Sequence, residues 1–234
     1  MVADALVYHP TAAHLLRYLD TTIGRDKVMR LVQYFARFYA AYLARTGGDK
    51  ATLVAWRGLM SQFSTARKII RIGKPLQHLK AAAVAYDNKT GDAVLRYTAV
   101  GRQLAYSAYL TIDTLIFAHG TKLVTLKNPE LAQKLYYQFW LAGIVFSISG
   151  AVYKHIGLSN REASLAKQAE KDIVAIKKVR AEQAANSTQL VLDLLDSSIP
   201  MSGLQLVPID ESVVGLAGMV SSLIGASVQW NSTA

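Results

Sequence analysis

Five cations and no acid fall between Trp56 and Lys74: Arg57, Arg67, Lys68, Arg71 and Lys74. The chemistry open to them is ionic. A guanidinium or ammonium pairs with phosphate oxygens, and beside an anionic lipid surface each charge is worth ~1 kcal/mol. Residues for covalent or metal chemistry are scarcer. The 234-residue chain has no cysteine, which excludes disulfides, thiolate metal sites and a cysteine nucleophile. Its five histidines, His9, His14, His78, His119 and His155, are scattered, and each reads as a packing or capping residue rather than a catalyst. No phosphate-binding loop, dinucleotide turn, zinc-helix motif or nucleophile elbow occurs. No enzymatic activity, cofactor or metal is expected. Asp113 is the odd carboxylate, set in the apolar window Gln103–Thr121. At mid-depth in a bilayer it would cost ~3 kcal/mol. It reads either as a buried charge at a solute pathway or helix contact, or as a cap or polar spot on a wet face. Its window reads as a buried or interfacial helix, not an independent span.

The elements that would carry these residues are helices. Strand signals are scarce, and the i, i+3, i+4, i+7 spacing recurs throughout, so the fold class is all-α. Val28, Leu31, Val32, Phe35, Phe38, Tyr39 and Tyr42 mark one helix, ended by Gly47–Gly48–Asp49. On a wheel at ~100° per residue, Leu59, Phe63, Ala66, Ile69 and Ile70 share one side of the next helix. The five cations share the other, with Trp56 near the boundary. A helix with a bulky apolar face and a basic polar face suits a bilayer interface. An ordinary core helix with a solvated basic face has the same pattern. Pro75 ends or kinks this helix, and another follows to Asp87–Asn88.

Composition points to a membrane. Apolar residues make up 52% and charged residues 18%, the latter below the ~25% of soluble domains. The net charge of +10 is uneven: residues 1–134 hold 19 Lys and Arg against 8 Asp and Glu, residues 135–234 hold 7 against 8. Nucleic acid would explain only the charge, and no nucleic-acid-binding motif is present. An anionic phospholipid membrane explains both charge and hydropathy. Met1–Pro10 carries Asp4 and no basic stretch before an apolar run, so no signal peptide is expected there.

Two uncharged windows, 135–153 and 212–234, approach the ~20 residues that span a hydrocarbon core as a helix. Tyr136, Tyr137, Trp140 and Tyr153 read as interfacial aromatics of the first. Gly143 and Ser147, and Gly218 and Ser222, fall at four-residue spacing. Such pairs let helices approach closely in lipid and are expected to mediate helix association and homo-oligomerisation. Ser159–Asn160–Arg161–Glu162 has the form of a capping box, opening a charged helix to about Asp196, with 197–208 as a connector. The expected organisation is a basic amphipathic region (1–90), a helical connector (91–134), a transmembrane helix (135–153), a charged helix and linker (154–211) and a C-terminal apolar segment (212–234).

Three blocks resemble the peroxin-11 family of fungal peroxisomal membrane proteins. They are Asp4-Ala-Leu-Val-Tyr-His-Pro10, the run Gly24 to Phe38 (GRDKVMRLVQYFARF), and Ala66 to Leu79 (ARKIIRIGKPLQHL), continuing to Ala83, Tyr86, Asp87 and Asn88. Together they cover much of residues 4–88. The resemblance implies a factor that elongates the peroxisomal membrane before fission and so promotes proliferation, using an amphipathic helix inserted in one leaflet. Carried onto this chain, that helix ends in Ala66–Gly73, so Trp56, Leu59, Phe63, Ile69 and Ile70 would enter the acyl boundary while the five cations hold phosphates. The resemblance also implies self-association, cooperation with a dynamin-like fission GTPase, and both termini in the cytosol. It leaves open a channel for small metabolites, with Asp113 near the path.

Overall fold

The computed structural model describes residues 9–167 and 173–234. Asp4–Tyr8 of the first block, and Glu170, Lys171 and Asp172 of the charged helix, lie outside the described residues. Among the described residues there are eight helices and no strand: α1 (Pro10–Asp20), α2 (Thr22–Thr46), α3 (Lys50–Ile70), α4 (Lys74–Asp87), α5 (Ala93–Gly120), α6 (Pro129–Lys167), α7 (Ile173–Gly203) and α8 (Glu211–Ser232). The all-α expectation holds.

Local chemistry fixes the ends. The Thr21 hydroxyl accepts from the Gly24 N–H at 2.9 Å to start α2. Gly47, at φ 70°, stops it in the left-handed region that glycine enters without a Cβ penalty. Asp49 caps α3 by accepting from Thr52 N–H at 2.8 Å. Gly73, at φ 88°, turns the chain into α4, whose first turn holds Pro75.

Contacts group the chain differently from the five consecutive segments expected. One unit joins the chain up to Arg71 with Pro208–Ala234; the other runs from Ile72 to Val207. In the first unit α2 lies between α3 and α8. Phe35 and Tyr39 of α2 meet Trp56 of α3 edge-on, at ring separations of 5.6 and 4.9 Å. Arg37 and Arg45, late in α2, pair with Glu211 and Asp210 at the start of α8 at 2.7 and 2.6 Å. Lys27, early in α2, lies against Gly225, late in α8. The two helices are therefore antiparallel along most of their length. His14 of α1 stacks on Trp230 at 3.7 Å and closes the far end.

In the second unit α6 lies between α5 and α7, and α4 packs on α5. Helix α6 runs unbroken through Ser159–Glu162, so the capping-box reading is wrong. No breaker stronger than Gly157 precedes that motif, and a lone glycine costs only ~1 kcal/mol. Glu162 instead pairs with Arg180 of α7 at 2.7 Å, which holds its carboxyl below the usual range. The connector expected at 197–208 is also shortened. Helix α7 continues through Pro200 to Gly203, because a proline this close to a helix end removes a single ladder hydrogen bond.

Candidate membrane-contact surfaces

Helix α3 carries the residues singled out for lipid contact, and α2 has already claimed one side of it. Trp56 is held by the two α2 aromatics. Arg67, on the same side and only 7% exposed, donates from Nε to Asp26 at 3.0 Å and from Nη1 to Gln33 at 2.8 Å. This corrects the assignment of Arg67 to phosphate binding. The wheel placed it beside Lys68 and Arg71, but a single-helix wheel cannot show that α2 brings an acid to that edge. Trp56 is likewise an anchor between helices, not a free wedge. Lys68 and Arg71 are half-buried at the margin, where Arg71 donates to the Arg67 carbonyl at 3.1 Å. Lys74 is half-buried in the first turn of α4.

The outward side of α3 is mixed, with Val54 and Ile69 exposed among Ser61, Gln62 and Thr65, and it has a basic edge. Leu59, Phe63 and Ile70 are half-buried along its flank. Ile69 is half exposed, and Val54, absent from the sequence-based set, is 68% exposed. Arg57 is exposed beside them. Val54 escaped the wheel because it sits nearly four turns before Arg67, the start of the cationic cluster that drew attention to the helix.

Two described helices are long and apolar enough to cross a membrane: α6, with a window of mean hydropathy 1.4, and α8, with 1.5. A third of each window is buried within the protein. Three of the aromatics read as interfacial on α6 pack against neighbouring helices. Trp140 is buried and stacks on Tyr109 of α5 at 5.3 Å; Tyr136 lies 4.9 Å from the same ring; Tyr137 fills the space left by Gly203 of α7. They face neighbouring helices because α5 and α7 flank α6 and offer rings and a glycine notch. Tyr153 remains at the surface and donates to Asp92 at 2.9 Å.

The small-residue pairs are used within the chain, which corrects their assignment to association between copies. A Cβ added at Gly218 would sit 2.3 Å from the Tyr34 ring, and one at Gly215 2.6 Å from the Phe38 backbone. Ser222 is fully buried. Gly143 receives the Tyr106 ring, and Ser147 donates to Asp193 of α7 at 2.6 Å. Close backbone approach is what these residues permit, and α2, α5 and α7 are the helices that make it.

Asp113 is 2% exposed in the middle of α5. That rules out the cap and the wet-face readings and leaves a buried charge, at a helix contact or a solute pathway. No group of three metal-ligating side chains occurs among the described residues. Three histidines sit in packing or turn contacts: His14 on Trp230, His78 2.6 Å from Gln103, and His119 accepting from Leu126 N–H at 3.3 Å.

Comparison with known proteins bears on what these surfaces serve. The family described as peroxisomal biogenesis factor 11 (PEX11) matches residues 12–230. The chain is 31% identical to the peroxisomal membrane protein PMP27 of Saccharomyces cerevisiae, covering 100% of both chains. It is 30% identical to the peroxisomal membrane protein PMP30B of Candida boidinii, covering 100% of this chain and 99% of that one. It is 24% identical to the peroxisomal biogenesis factor 11 of Schizosaccharomyces pombe, with 95% and 96% covered. No solved structure matches. With the match running from α1 nearly to the end of α8, the chain belongs to the PEX11 family, whose relatives named here are peroxisomal membrane or biogenesis proteins.

Proposed function

We propose that this protein curves and elongates the peroxisomal membrane before fission, with α3 lying in the interface of one leaflet. The observation that carries the reading is the outward side of α3. Val54 and Ile69 stand exposed there with Ser61, Gln62 and Thr65 among them, Leu59, Phe63 and Ile70 lie half-buried toward the α2 side, and Arg57 and Lys68 line the edge. An apolar row sunk below the headgroups with cations among the phosphates expands one leaflet and not the other. The Arg67–Asp26 pair serves this geometry indirectly, by fixing which side of α3 points away from α2.

Anionic phospholipid is the proposed primary partner. Self-association, which would concentrate many wedges, must use faces other than the Gly143/Ser147 and Gly218/Ser222 pairs. A dynamin-like fission GTPase is the proposed partner downstream. Helix α6 is one proposed crossing, a second returns the chain, and both termini face the cytosol.

The test is tubulation of anionic liposomes by the purified chain. A Val54→Asp/Ile69→Asp pair and an Arg57→Glu/Lys68→Glu pair are each expected to reduce tubule number at least about tenfold, since the apolar pair loses ~3 kcal/mol or more of insertion energy. Tubulation at the unmodified level by both variants would overturn the proposal.

A further inference from the structure

The second unit holds a cavity, part apolar and part charged, that the wedge mechanism does not use. It lies among α5, α6 and α7 and has a volume of about 320 Å³, within the usual range of small-molecule sites. Leu95 and Arg102 of α5, Phe146 and Lys154 of α6, and Asn186 and Gln189 of α7 line it. Two cations from different helices thus face one space.

The state of Arg102 is the telling feature. Its Nε is buried and has no hydrogen-bond partner among the described residues. Its guanidinium rests 5.5 Å over the Tyr106 ring. Two acids stand nearby: Asp196, and Asp193, which attracts the Arg102 charge while accepting from Ser147 at 2.6 Å through Oδ2 and from Gln189 at 2.9 Å through Oδ1. A buried guanidinium donor left unmatched is costly, and its planar fork suits phosphate oxygens in a bidentate pair.

We propose that this cavity binds the headgroup phosphate of an anionic phospholipid, with Arg102 as the bidentate donor and Lys154 as the second cation. Three observations favour a lipid over a free oxyanion. Lys154 is the charge that closes the apolar window 135–153, so it stands at headgroup depth if α6 crosses the bilayer. Leu95 and Phe146 make part of the wall apolar, and the Phe146 side chain is 41% exposed, giving an acyl chain a path outward. Gly150 also lines the space: a Cβ there would sit 2.7 Å from the Thr98 hydroxyl, so only glycine keeps α5 and α6 this close beside the opening. The lipid assignment rests on the proposed crossing by α6; the cavity and its cations do not.

The test uses the full chain in detergent micelles, titrated with phosphatidic acid, with phosphatidylcholine and with inorganic phosphate. Preference for phosphatidic acid is expected, unaffected by millimolar inorganic phosphate. Arg102→Gln and Lys154→Gln are each expected to weaken it about tenfold or more, the weight of a charge-assisted hydrogen bond. Lys154 is exposed, so its substitution leaves packing intact, and unchanged melting separates lost binding from misfolding. Lys127→Gln, at an exposed position between α5 and α6 and part of neither the cavity wall nor α3, is expected to bind as the unmodified chain does. Unweakened binding in both cavity variants overturns the site, and displacement by inorganic phosphate overturns the lipid assignment. Alkaline extraction of the unmodified protein from membranes reads the α6 crossing separately, since micelle binding does not depend on it.

Discussion

At the scale of single residues, the sharpest lesson is Arg67. It has the charge, the helix and the neighbours of a phosphate ligand, and the structure assigns it to Asp26 instead, with the two side chains 9% and 13% exposed. Removing one partner of a buried pair leaves an uncompensated charge and costs ~3–5 kcal/mol. Arg67→Met is therefore expected to lower the melting temperature by roughly 6–20 °C, at ~2–4 °C per kcal/mol for a chain of this size. Arg57→Gln, on an exposed position of the same helix, is expected to leave it unchanged. Thermal melts by circular dichroism decide this, and equal melting of the two variants would remove the distinction between internal and lipid-facing cations. Charge, spacing and the Pro75 break were legible in the sequence because they are local to α3. The partner of Arg67 was not, since Asp26 lies on another helix and carries its own adjacent bases, Arg25 and Lys27, which made it look already paired. Arg102 and Lys154 were missed for a related reason: each looks ordinary alone, and only the packing of α5 on α6 brings them to one cavity.

At the scale of elements, helix existence followed from periodicity, and most ends followed from glycine, proline and aspartate chemistry. Which faces would be covered did not follow, because an apolar face reads the same whether lipid or another helix meets it. The window 212–234 shows this. On α8, Val214, Gly215, Gly218, Ser221, Ser222 and Gly225 are buried, and α2 brings Lys27, Tyr34 and Phe38 onto the three glycines. Arg30, 7% exposed with its guanidinium 5.3 Å over the Tyr34 ring, lies in the same part of α2. If α8 crossed a bilayer with α2 attached, those cations would enter at ~2.5–3.5 kcal/mol each. Docking along α2 with Val213, Leu216 and Leu223 outward, each about half exposed, leaves an apolar row for the interface without that cost. Because the chain has no cysteine, the contact can be read cleanly: Arg37→Cys with Glu211→Cys, in place of an ion pair between the two helices, is expected to be joined by a short bis-maleimide in membrane-bound protein. Gly218→Leu, driving a side chain into the Tyr34 ring, is expected to cost ~1–3 kcal/mol and to abolish that cross-link. A cross-link that survives Gly218→Leu would mean the glycine face does not set the contact.

At the scale of the whole molecule, the pairing of the two ends restricts topology. Residues 208–234 pack with the residues up to Arg71, so both lie on one side of a bilayer as long as α8 stays on α2. The segment between them then crosses an even number of times. If α6 is one crossing, α7 is the element able to return. Its stretch 183–203 holds two charges, Asp193 and Asp196, and Asp193 is 3% exposed with both carboxylate oxygens accepting hydrogen bonds. The alternative return, α8 itself, requires α8 to leave α2. Both routes put the two termini on one side of the membrane, the cytosolic side in the proposed orientation, and both put the α6–α7 junction on the other. They differ at Leu206 and Val207, exposed between α7 and α8, which face the cytosol only if α7 returns. A protease site inserted there is expected to be cut from outside intact peroxisomes, as tags at both termini are. Protection at 206–207 with both termini accessible would mean that α8 crosses, that the α2–α8 contact opens on insertion, and that the cross-link between Arg37→Cys and Glu211→Cys fails to form in the same membranes.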